Sequence, residues 1–143
     1  MVITKDILSI DSGIICHQVN CKGKMGAGIA LKIRKKWPIV YKEYIDFFNS
    51  GKLQLGNIQT IQVKPNIYVG NLMGQYGYGR DKQYTDHEAL KSSLSKIYQW
   101  SIDRNLQIYL PYKIGCGLAG GDWKIVKSII YETITNPVIC KWK

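Results

Sequence analysis

Hydrophobic and polar positions along the chain switch between strand-like and helix-like spacing. Residues 2–4 form a short apolar strand. Residues 14–21 (IICHQVNC) form a continuous apolar run that turns polar at its end, as a buried parallel strand does before a functional loop. A glycine-rich turn at 23–28 leads into helical spacing from 27 to about 36, and a second helical stretch runs from 39 to 48. Trp37-Pro38 separates the two, because proline lacks an amide donor and restricts the residue before it. Ser50-Gly51 stops the second helix. Residues 57–63 and 66–72 read as strands joined at Lys64-Pro65. The stretch 74–84 is a loop rich in glycine and tyrosine. Thr85-Asp86-His87-Glu88 has the form of a capping box with Thr85 as N-cap, and Leu90, Leu94, Ile97 and Ser101 then share one face of a helix reaching about 104. A strand at 107–110, a second glycine-rich loop at 111–121, a helix capped by Asp122 and running to about 132, and a strand at 138–142 complete the chain.

Strands alternating with helices predict an α/β fold, a mostly parallel sheet with helices on both faces. Ligands of such sheets sit at the carboxyl ends of the strands. Both glycine-rich loops follow strands, so both are expected on that edge.

Composition narrows the picture. A chain of 143 residues fits one domain, here 1–143, and 45% hydrophobic with 21% charged residues is ordinary for a globular protein. No window approaches the roughly 18 apolar residues of a membrane span, and residues 1–13 lack the long apolar stretch of a signal peptide. A cytoplasmic monomer is expected. Cys16, Cys21, Cys116 and Cys140 match no zinc spacing and read as reduced thiols, Cys16 and Cys140 in the core; neither a metal nor another cofactor is implied. The net charge of +10 favours anionic partners. Because the lysines are scattered, the charge reads equally as general solvated surface; nucleic acid is a candidate partner on charge alone.

The first loop, Asn20 to Ala30 (NCKGKMGAGIA), lets backbone approach a ligand closely and ends at a helix start, whose free amides suit phosphate. Its spacing is neither GxGxxG nor a P-loop, and a plain strand-to-helix turn is the alternative. The second loop, Ile114 to Trp123 (IGCGLAGGDW), carries four glycines directly before a helix, more than a turn requires. Two such loops point to a diphosphate-bearing nucleotide held between them.

NCKGKMGAGIA followed by PYKIGCGLAGGDW resembles the macrodomain family, and most of all its ADP-ribose-1''-phosphate-processing members. Asp6-Ile7-Leu8 is similar to the family's GDI motif, with Lys5 in place of glycine. The resemblance covers nearly the whole chain in the right order. It implies a three-layer α/β/α fold and an ADP-ribose cleft. In that cleft Asp6 would accept from the adenine amino group beside Ile7, and Asn20 would hold the distal ribose. Backbone around Met25, Gly26, Ala27 and Gly28, and around Ile114, Gly115, Cys116, Gly117, Leu118 and Ala119, would wrap the diphosphate and distal ribose. Trp142 would lie against the adenine. Capping a turn remains open for Asp6, and a core or edge aromatic for Trp142.

Candidates for chemistry follow from position. His17, three residues before Asn20, is similar to a histidine of the yeast-like phosphatase branch; the alternative is a hydrogen-bonded core histidine. Arg80 offers charge to a terminal phosphate, and Asp81 an acid to position water. One departure bears on the reaction. Family members that remove ADP-ribose from acidic side chains or DNA use a lysine at the end of the strand before the central loop, paired with an acid in the second glycine loop. Here that strand end reads Asn71-Leu72-Met73-Gly74-Gln75, and the acid position falls at Ala119. The expected activity is therefore hydrolysis of ADP-ribose-1''-phosphate. The alternatives are a mono-ADP-ribosyl glycohydrolase and a module that only binds ADP-ribose or a derived signalling nucleotide.

Overall fold

The computed structural model describes residues 1–142. Six strands make one sheet: β1 (Val2–Thr4), β2 (Gly13–Gln18), β3 (Ile58–Lys64), β4 (Ile67–Leu72), β5 (Ile108–Pro111) and β6 (Val138–Lys141). Four helices accompany them: α1 (Gly28–Lys36), α2 (Pro38–Asn49), α3 (His87–Arg104) and α4 (Trp123–Thr133). A single 3-10 turn, Ile7–Ser9, follows β1. The strand order is β1-β6-β5-β2-β4-β3, and every neighbouring pair is parallel except β3–β4, the hairpin that turns at Pro65-Asn66.

The alternation of β2 explains the layers. Ile15 and Val19 face one side and pack with Ile33 of α1 and with Val40 and Tyr44 of α2. Ile14 and Cys16 face the other and pack with Leu90, Leu94 and Ile97 of α3 and Val126 and Ile130 of α4. Both faces of the sheet are thus covered, which gives the expected three-layer α/β/α arrangement.

Two local expectations change. The run 14–21 leaves the sheet after Gln18, because the Asn20 carboxamide oxygen accepts from the Lys22 and Lys24 amides at 3.0 and 3.3 Å and bends the chain into the first loop. The N-cap of α3 is Asp86, whose carboxylate accepts from the Ala89 amide at 2.9 Å, not Thr85. The Thr85 hydroxyl is drawn away by a tertiary bond, donating to the Gly115 carbonyl at 2.6 Å. Asp122 caps α4 as expected, accepting from the Lys124 amide at 2.9 Å.

Candidate functional site: a cleft at the carboxyl ends of the central strands

Three contiguous recesses run along the sheet edge. One of about 630 Å³ lies beside Asp6, Ile7, Gly28, Lys32, Tyr112 and Trp142. A middle one lies between Gly28–Ala30 of the first loop and Ile114, Gly115, Gly117, Leu118 and Ala119 of the second. The third, about 440 Å³, is bounded by Gln18, Asn20, Lys24, Gly26, Gln75, Tyr78 and Arg80. Gly28, Ile29, Pro111 and Tyr112 belong to both the first and the middle recess, while Gln18, Ala27, Gln75 and Leu118 belong to both the middle and the third. Together they form one elongated cleft with its centre at the end of β2.

The walls are shaped for backbone contact. α3 and α4 carry aspartate caps and α2 begins on Pro38, but α1 begins at Ala27-Gly28 with no side chain on its first amides. An uncapped helix start facing a cleft suits an anion, because its free N–H groups and the helix dipole both favour negative charge. In the second loop Gly115 sits at φ +73, a conformation that disfavours side chains, and a Cβ there would come within 2.9 Å of Gln18 Oε1. Gly117 differs: a Cβ at that position would meet nothing within 4 Å. The loop is held from within by Cys116 N–H donating to the Lys113 carbonyl and Gly121 N–H to the Gly115 carbonyl. It is held from outside by Tyr84 and Thr85, whose amides donate to the Ala119 carbonyl.

Gln18 ties these parts together. Its carboxamide nitrogen donates to Gln75 Oε1 at 2.8 Å and to the Thr85 hydroxyl at 2.9 Å. Thr85 passes the link to the Gly115 carbonyl. β2, the central loop and the second glycine loop therefore meet at one side chain. Gln18, Gln75, Tyr78 and Lys24 were not singled out from the sequence. The one available signal is that Gln18 is a polar residue inside the apolar run 14–21, near the end that turns polar before the first loop.

The expected site residues separate into groups. Asp6, Ile7, Asn20, Gly26, Ala27, Gly28, Ile114, Gly115, Gly117, Leu118, Ala119 and Trp142 all line the cleft. Asp6 does both things weighed for it: one oxygen accepts from the Leu8 amide at 2.9 Å, capping the 3-10 turn, and the residue borders the first recess. Trp142 is an exposed edge aromatic just past β6, with the Lys32 ammonium 5.4 Å from its ring centroid. The Asn20 carboxamide is occupied in shaping its own loop, donating to the Lys24 carbonyl while its oxygen accepts from the buried Tyr44 hydroxyl. Met25 is buried in the core, and the Cys116 thiol turns back to the Ile114 carbonyl, so neither side chain borders the cleft.

Two of the three candidates for chemistry are corrected. His17 is fully buried on the α2 side of the sheet, where its Nε2 hydrogen-bonds Asn71 Oδ1 at 2.6 Å. Asn71 donates to Gln59, and Gln59 to the Glu43 carbonyl of α2. Burial pushes the imidazole down to about 4, only partly opposed by the Asn71 bond, so His17 is a neutral core residue and not a group in the cleft. Asp81 is exposed, outside the cleft, and accepts from the Tyr84 hydroxyl at 2.6 Å, a bond that holds its carboxyl below the ordinary range. Arg80 does line the third recess, alongside Lys24.

The macro domain family model matches residues 16–130 of the chain. A solved structure of a Bacteroides thetaiotaomicron protein of unknown function superposes with a TM-score of 0.90 at 30% identity, covering 100% of this chain and 97% of that one. An ADP-ribose 1''-phosphate phosphatase of Candida albicans is 26% identical over 127 residues, 83% of this chain and 80% of the relative. A DNA ADP-ribosyl glycohydrolase of Mycobacterium tuberculosis is 23% identical over 126 residues; the match takes in 86% of this chain but only 35% of that protein's length.

Proposed function

The chain belongs to the macro domain family, and from that premise we propose that its cleft binds ADP-ribose and hydrolyses ADP-ribose-1''-phosphate to ADP-ribose and phosphate. The observation that carries the reading is the order of chemical features along one continuous cleft. A carboxylate, an exposed aromatic and three lysines stand at one end, two backbone-lined glycine loops in the middle, and Lys24 and Arg80 beside Asn20 at the other. Adenine fits beside Asp6 and Trp142, the diphosphate between the uncapped start of α1 and the second loop, and the distal ribose by Asn20. A phosphate on that ribose falls beside Lys24 and Arg80, which neutralise a group carrying close to two negative charges. Water then attacks phosphorus, the bond from phosphorus to the ribose oxygen breaks, and that oxygen leaves with a proton as the ADP-ribose hydroxyl.

Glycohydrolase chemistry has less support. Asn71 and Leu72 end β4 and Gln75 follows, with no lysine there, and Ala119 brings no acid to the second loop. A second reading, a module that binds without turnover, is favoured by the burial of His17 and the engagement of Asp81, which leave the third recess without either proposed acid–base group. One measurement separates them. Purified protein with ADP-ribose-1''-phosphate is expected to release inorganic phosphate over many turnovers; tight binding without phosphate release would establish the module instead.

A further inference from the structure

Three lysines border the recess at the end of the cleft assigned to adenosine. Lys5 follows β1, Lys141 ends β6 and Lys32 lies on α1; all are exposed and all border the first recess. β6 and β1 lie two and three strands from β2 in the sheet, roughly 10 and 14 Å at ordinary strand spacing. Lys5 and Lys141 are thereby set apart from the first loop, which follows β2, while Lys32 lies one turn into α1 and faces the same recess. Two of the three are placed against aromatic faces that border the same recess: Lys141 Nζ is 4.6 Å from the Tyr112 ring centroid and Lys32 Nζ 5.4 Å from that of Trp142. None of the three forms a salt bridge among the described residues. Among the described residues the recess contains one carboxylate, Asp6, and one of its oxygens already accepts from the Leu8 amide.

Three ammonium groups against one carboxylate leave a surplus of positive charge around a pocket assigned to adenosine. Adenosine is neutral, so plain ADP-ribose leaves that surplus unmatched, whereas an anion among the three lysines would form charge-assisted contacts. We propose that the recess recognises an additional phosphate on the adenosine ribose, and that the preferred ligand is an ADP-ribose-type nucleotide phosphorylated at that sugar. The proposal rests on the assignment of adenosine to this end of the cleft. Two sources share the chemistry: a phosphomonoester on a small metabolite, and a phosphodiester that joins the adenosine to a further nucleotide.

The test compares affinities by calorimetry. ADP-ribose carrying a 2'-phosphate on its adenosine is expected to bind about tenfold tighter than ADP-ribose at low salt, the gain of one charge-assisted contact. The ratio is expected to fall as salt screens the exposed lysines. In the protein carrying Lys5→Gln, Lys32→Gln and Lys141→Gln together, the ratio should drop to about one, each ligand being measured on the same variant. Equal affinities in the unsubstituted protein, or a ratio that persists in the triple variant, would overturn the proposal. Adenosine 2',5'-bisphosphate against AMP repeats the comparison without a distal ribose, so failure of the ADP-ribose assignment at the far end leaves this ratio standing. A gain shared by a phosphodiester-linked dinucleotide identifies the polymeric source, and a gain confined to the monoester identifies the metabolite.

Discussion

Gly117 and His17 show how differently single residues contribute here. Gly117 needs no side-chain-free space for its own packing, since a Cβ would meet nothing within 4 Å, and it is not at positive φ. Gly117 borders the middle recess of the cleft. Gly117→Val is therefore expected to leave the melting temperature nearly unchanged while weakening ADP-ribose binding by more than about tenfold, through steric exclusion of the close backbone approach. A thermal melt with parallel calorimetry checks this; normal binding by the variant would move the diphosphate elsewhere. His17 belongs to the interior, and its effect is on stability. Its pKa is about 4 in the folded chain, against an ordinary value of 6.5. Above the ordinary value both states are neutral and nothing changes. As pH falls from 6.5 towards 4 the unfolded chain takes up a proton that the folded chain refuses, so stability declines across that window by up to about 3 kcal/mol. Urea unfolding at pH 7 and pH 4.5 should show the loss in the natural chain and a smaller one in His17→Gln. The sequence left His17 open between the cleft and the core. What settles it is a match of parity across three strands: His17, Asn71 and Gln59 all face α2, and only the pairing of β2, β4 and β3 brings their polar ends together.

At the level of elements, the order of strands and helices was legible because apolar spacing and breakers carry it: Trp37-Pro38 divides α1 from α2, and Leu90, Leu94, Ile97 and Ser101 are buried on α3 as their spacing predicted. The start of α3 was misread by one residue because the competing partner of Thr85, the Gly115 carbonyl, lies thirty positions away in sequence. That displacement separates two functions in adjacent residues. Asp86→Ala removes the helix cap and is expected to cost about 1 kcal/mol of stability with little change in ligand affinity. Thr85→Val removes the hydroxyl that joins Gln18 to the second loop, and is expected to lower affinity several-fold beyond its effect on stability. Chemical denaturation and calorimetry on the two variants read the contrast; if Asp86→Ala proves the more damaging to binding, the link through Thr85 does not position the loop. The glycine loops themselves were readable from composition. The side chain that ties the second of them to β2 and the central loop, Gln18, was not, because its partners Gln75 and Thr85 are 57 and 67 residues distant.

For the whole molecule the relevant property is a charge of +10 with cations at both ends of one cleft. Long-range attraction of an anionic nucleotide acts on arrival more than on departure. Stopped-flow association of ADP-ribose is expected to slow several-fold between low and physiological salt while dissociation changes less. An association rate indifferent to salt would mean that the charge serves the solvated surface alone.

The sheet order gives the cleft unequal foundations. β2, under its centre, pairs with β4 on one side and β5 on the other, whereas β1, which leads to Asp6, pairs with β6 alone over three residues. Local opening is cheapest where a strand has one neighbour, so amide protons of β1 are expected to exchange with solvent well before those of β2. A nucleotide whose base rests on Asp6 would then act as a clasp, fastening the outermost strand to the rest of the sheet through the ligand's own length. Hydrogen exchange in the presence of ligand should reveal this as protection that grows most at the far edge, two strands beyond β5 and three beyond β2, the strands that lead into the glycine loops.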